Sequence, residues 1–140
     1  MSNKPSAWHR LARELGCRSD EASQRASINR AYYASYHRCL AWEGGLPARG
    51  SCDPFSGVHA QLISRLRHPD QACSTVESER SVAISKLLRQ QRELRAIADY
   101  ELDAPISKAL VDKQLKAVHQ LMTDCEGVTS PSLTPQRVTR

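Results

Sequence analysis

From Ser19 to Glu43 the chain contains neither proline nor glycine, and its apolar residues recur at the spacing of a helix and not in the alternation of a strand. Ser19 or Asp20 can cap such a helix, and Gly44 and Gly45 stop it. Ile28, Ala31, Tyr32, Ser35, Cys39 and Trp42 fall on one stripe, as a core face requires. The opposite side carries Arg30, Tyr33, Ala34, His37, Leu40 and Ala41, and only Asn29 and Arg38 read as solvent residues. A helix that is apolar or aromatic on both sides is buried on both, so the second face must meet another helix, a partner chain or a cleft.

The rest of the chain has the same period. Residues 6–15 (SAWHRLAREL) predict a short first helix with Ser6 as its N-cap and Gly16 as its stop. Residues 44–54 are rich in glycine and proline and read as a loop, mobile enough to act as a lid. A third helix is expected from Pro54 to Arg67, ending before His68-Pro69 because the residue before proline avoids the helical region. A fourth is expected from Glu77 to Tyr100, and Pro105 opens a fifth from Ile106 to Asp124. No strand alternation and no solenoid repeat is visible. The expected fold is therefore an all-α bundle of four to five helices in one domain, residues 1–126. Residues 127–140 have almost nothing to bury and are expected to form a disordered tail.

A chain of 140 residues with 40% hydrophobic and 25% charged residues suits one core. No apolar run approaches a membrane span, and the start lacks the apolar region of a secretory signal, so a soluble cytoplasmic protein is expected. The five cysteines lie at wide, irregular intervals that suggest neither a disulfide framework nor a paired-ligand zinc site. His37 with Cys39, or Cys52 with His59, is the weak zinc alternative. A net charge of +5 attracts phosphate-rich or acidic partners without identifying one.

Arg30 and His37 stand seven positions apart, hence within about 20° around the helix and about 10 Å along it. Side chains lean toward the helix N-terminus, so His37 leans back toward Arg30 and the two can share one phosphate. The fourth helix has Ile84, Leu87, Leu88, Leu94 and Ala98 as its apolar face, yet Arg95 and Asp99 fall on that face too. Charge there is costly unless paired, so Arg95 and Asp99 are expected to pair with each other, pair with the second helix, or line a wet cleft. A plainer reading keeps Asp99 as a structural acceptor from Arg30 or Arg95, with His37 and Tyr100 as hydrogen-bonded core residues. His9, His68 and His119 are read as surface residues, and His59 stays outside the candidate set.

The run Arg30-Ala-Tyr-Tyr-Ala-Ser-Tyr-His37, followed by Leu94-Arg95-Ala-Ile-Ala98-Asp99-Tyr100, resembles the HEPN family of small helical domains. It is most similar to a bacterial branch marked by an Arg-x-x-Tyr-Tyr-Ala-x-x-His helix and a later Arg-x-x-Ala-Asp-Tyr helix, over roughly residues 6–124, with one residue here between Arg30 and Tyr32 where that pattern has two. The stretch FSGVHAQLISRL, which contains His59, resembles the helix that follows a variable loop in such proteins. The resemblance implies a HEPN-type bundle paired as a two-fold homodimer. It also implies a metal-independent endoribonuclease acting as a toxin or phage-defence effector, or else a non-catalytic module that binds RNA or a nucleotide. An antitoxin or a nucleotidyltransferase would be the partner. Under that reading Arg30 and His37 are catalytic, while Tyr33, Arg95, Asp99 and Tyr100 bind or orient substrate, with no metal and no cofactor.

Overall fold

The computed structural model describes residues 4–129, which form five helices: α1 (Lys4–Gly16), α2 (Glu21–Glu43), α3 (Val58–Arg67), α4 (Thr75–Tyr100) and α5 (Lys108–Thr129). No strand occurs among the described residues. The all-α bundle expected from the periodicity is present.

Helix boundaries follow local chemistry that proline counting misses. The Asp20 carboxylate accepts from Ser23 N at 2.9 Å and starts α2. Gly44 ends it in the right-handed region, with its N–H on the Leu40 carbonyl. Helix α3 starts at Val58 and not at Pro54, because Asp53 Oδ1 accepts from Phe55 N at 3.0 Å and folds residues 53–56 into a turn. Helix α4 starts two residues before Glu77 because Ser74 and Glu77 form a capping box, each side chain accepting from the other's backbone N–H. Ser6 lies inside α1 and is not its cap. Helix α5 continues past Asp124 through the first three residues assigned to the tail, and residues 130–140 lie outside the described part.

Helix α2 is the centre of the bundle, packed by α1, α4 and α5 and touched by α3. The predicted stripe Ile28, Ala31, Tyr32, Ser35, Cys39 and Trp42 is buried throughout. Tyr32, Cys39 and Trp42 join Leu62, Leu66, Ile84, Leu88 and Leu121 in the largest apolar cluster, while Ile28, Ala98, Ile106 and Val111 form a second. The second face of α2 is covered only in part: Ala34 is fully buried and Tyr33, His37 and Leu40 half-buried, with Trp8 of α1 against Tyr33 and His37, while Arg30 and Ala41 at its ends are exposed. Gly16 stands where a Cβ would press on Leu115, Ser27 Oγ and Val111, all at 3.1 Å, so it lets α1 come close to α2 and α5.

Polar ties lock the helices in register. Ser27 Oγ donates to the Ala12 carbonyl at 2.7 Å, and Ser81 Oγ to the Leu66 carbonyl at 2.6 Å. Arg25 donates to the carbonyls of Ala98 and Leu102, satisfying the open end of α4. Glu43, 2% exposed, takes a two-point fork from Arg65 at 2.6 and 2.9 Å and so joins the end of α2 to α3. Gly50 brings the loop against the end of α3, where a Cβ would strike the carbonyl oxygens of Arg65 and His68. None of the five cysteines, all among the described residues, forms a disulfide, and Cys39 and Cys125 are buried together.

Candidate functional site

Tyr32, Tyr33 and Tyr36, on consecutive turns of α2, face His59 in the first turn of α3; Tyr32 and Tyr33 also meet Arg95 in the C-terminal half of α4, and His37 faces Trp8 of α1. Tyr32 is fully buried, and its Oη lies 2.7 Å from His59 Nδ1. Burial pushes the Tyr32 phenol well above its ordinary range, so it remains an O–H that can donate to that nitrogen. In that arrangement the His59 proton sits on Nε2. Burial, then the charges of Arg92, Arg95 and His37, hold the His59 imidazole below its ordinary 6.5. His59 is therefore a neutral base near neutral pH that feels the charges of two arginines of α4.

The His37 ring meets Trp8 edge-on at 4.8 Å and Tyr36 at 5.3 Å. Among the described residues it makes no hydrogen bond, and the ring is half-buried. Burial and then the Lys4 charge lower its pKa from 6.5. Tyr36 lies 4.5 Å from the His59 ring as well, so one tyrosine separates the two imidazoles.

Arg95 is held on every side. Its guanidinium lies 5.4 to 5.9 Å from the ring centres of Tyr32, Tyr33 and Tyr100. Nη2 donates to Tyr33 Oη at 3.2 Å, and Nε stands 2.7 Å from Asp99 Oδ2 in an ion pair without straight hydrogen-bond geometry. Asp99 also accepts from Asn29 Nδ2 at 2.8 Å, and Arg30 donates to Asn29 Oδ1. The four residues make a chain across α2 and α4 that runs Arg30, Asn29, Asp99, Arg95.

The sequence-derived residues thus separate into two groups. Tyr33, Arg95, Asp99 and Tyr100 come together, with Arg95 at their centre. Asp99 accepts from Arg95 and reaches Arg30 only through Asn29, a residue that pattern alone assigns to solvent. Tyr100 is 71% exposed, so it is not the hydrogen-bonded core residue of the plainer reading; it is a ring laid against Arg95 at the surface. Arg30 is exposed and lines an open groove of about 380 Å³ with Trp8, Leu11 and Tyr33, a lining that does not include His37. Trp8 is the wall common to both: its ring contacts Tyr33 and His37 and also borders that groove.

His59, Arg92, Asn29 and Trp8 enter the site without having been picked from pattern. His59 was legible only through the helix that follows the loop, and Arg92 through its spacing of three from Arg95. His9, read as a surface residue, is half-buried and shares a groove with His119. No group of three or more His, Cys, Asp or Glu side chains among the described residues is arranged to hold a metal ion, and no helix there is long and apolar enough to cross a membrane. Comparisons with protein families, with curated proteins and with solved structures find no match to this chain.

Proposed function

We propose that this chain is a HEPN-type, metal-independent endoribonuclease of the cytoplasm that works as a two-fold dimer in a toxin or phage-defence system. One observation carries the reading: His37 and His59 lie on either side of Tyr36, and the Arg95 guanidinium packs on Tyr32, the phenol bonded to His59. In the reaction, the 2′-hydroxyl of RNA attacks the neighbouring phosphorus. The 2′-oxygen loses its proton to a base, the bond to the 5′-oxygen breaks, and an acid protonates that leaving oxygen. One neutral imidazole serves as the base and the other, once protonated, as the acid. Arg92 and Arg95 offer the positive charge that the phosphoryl oxygens need as they gain negative charge. Because both imidazoles titrate below 6.5, the pH–rate profile is bell-shaped with its maximum on the acid side of that value. The exposed Leu11 beside the Arg30 groove is apolar surface that a second copy would cover.

The test is RNA incubated with the purified protein in excess chelator. Cutting is expected, with a loss of roughly 10²-fold or more in His37→Ala and in His59→Ala while circular dichroism stays helical. Undiminished cutting by either variant removes that histidine from the mechanism.

A second reading has its own support. Arg95 is already engaged by Asp99 and Tyr33, and Arg30 by Asn29, so their guanidinium groups are partly occupied inside the chain. That arrangement suits a module that binds RNA or a nucleotide and pairs with a nucleotidyltransferase or an antitoxin. Tight binding under chelation with no cutting decides for it.

A further inference from the structure

Helices α3 and α4 are joined by the short segment 68–74 and pack against each other, with Ser81 bonded to Leu66 at one end and the charge of Arg92 acting on His59 at the other. His59, Ile63 and Arg67 recur at intervals of four along α3, which puts them on one stripe about 12 Å long. Where that stripe leaves the histidine, a groove of about 160 Å³ opens, lined by Ile63, Arg67, Val82, Ser85, Lys86, Arg89 and Gln90. It contains three cations and no carboxylate. Arg67, Lys86 and Arg89 are exposed, and none of them makes an ion pair or hydrogen bond among the described residues. The nearby Arg65, by contrast, is neutralised by Glu43.

We propose that this seam between α3 and α4 is a phosphate track for single-stranded RNA: Arg67, Lys86 and Arg89 hold backbone phosphates on one side of the bond presented to the His37–His59 cleft. The proposal rests on the cleft being an RNA site. Arg89 lies one helical turn before Arg92 on α4, and the Arg92 charge acts on His59, so the cations of the groove lead along α4 toward that histidine. Cations beside tyrosines are the groups with which proteins hold single strands without reading their sequence. The larger groove between α1 and α5, about 550 Å³, sets Asp112 among His9, Arg13, Lys116 and His119 and has no such one-signed field.

The test compares three full-length proteins in chelator: wild type, the triple variant Arg67→Gln, Lys86→Gln, Arg89→Gln, and a charge-matched control, Arg13→Gln, Lys113→Gln, Lys116→Gln, on α1 and α5. The probe is a labelled oligouridylate titrated by fluorescence anisotropy across a salt series, with a dinucleotide as the short substrate. The groove variant is expected to lower the slope of log affinity against log salt by about 2, from three contacts of about 0.7 each, and the control to change it by far less. Dinucleotide cutting, which needs only the cleft, stays at the wild-type rate. Equal losses in the two variants, or none in the groove variant, overturn the track and leave the cleft reading intact. Wild type that binds the oligomer without cutting it overturns the ribonuclease and leaves the track to be judged by its salt slope. Wild type that binds no RNA overturns both.

Discussion

Replacing Tyr32 by phenylalanine deletes one hydroxyl from a fully buried ring and leaves the packing untouched. That hydroxyl is the partner of His59 Nδ1 at 2.7 Å. Removing it costs one hydrogen bond, about 1 kcal/mol net, and His59 is only half-buried, so water can replace the lost partner and keep the cost at the low end. For a domain of this size the melting temperature falls by about 2 to 3 °C. Alanine at the same position would instead empty the space of a ring, at about 3–5 kcal/mol, and unfold much of the population. The informative signal is electrostatic. A donor to Nδ1 stabilises the neutral imidazole, so its loss makes protonation easier and moves the His59 titration toward higher pH. The imidazole Cε1–H resonance followed by NMR from pH 4 to pH 8 reports this directly, with His37 in the same spectrum as the internal reference. A His59 midpoint that stays where it is in wild type, or that moves toward acid, would refute the claim that the buried phenol donates to this ring.

Two further outcomes follow from charge and burial. His9, His37 and His59 all have pKa values held below the 6.5 of an unfolded chain, with desolvation the largest cause each time. The unfolded chain therefore binds protons first, so the stability these groups confer is complete above about pH 6.5 and is lost as pH falls through their folded values; melting temperatures measured from pH 7.5 down to pH 5 should decline, and a flat profile would contradict the shared direction. Arg65→Met leaves the Glu43 carboxylate buried with only the distant Arg49 at 3.9 Å, and a broken buried pair costs about 3–5 kcal/mol; urea denaturation is expected to show most of that loss, with the double variant Arg65→Met, Glu43→Gln recovering part of it.

The helical class, the number of helices and the burial of one face of α2 follow from the sequence, because apolar spacing and caps are local and each helix obeys them independently of its neighbours. The same locality made Arg95 and Asp99 recognisable, since a charge on an apolar stripe is anomalous wherever the helix docks. What covers the second face of α2 was not decided there. Any helix with the right stripe would do, and only packing chose α1 and placed Trp8 against His37. Nor could spacing show that Arg30 reaches Asp99 through Asn29, or that Tyr32 and His59, 27 positions apart, are bonded to each other. Those contacts depend on the angle and register at which α2, α3 and α4 cross. Crossing geometry is set by the summed shape of many side chains at once, and no single stretch of the chain contains it.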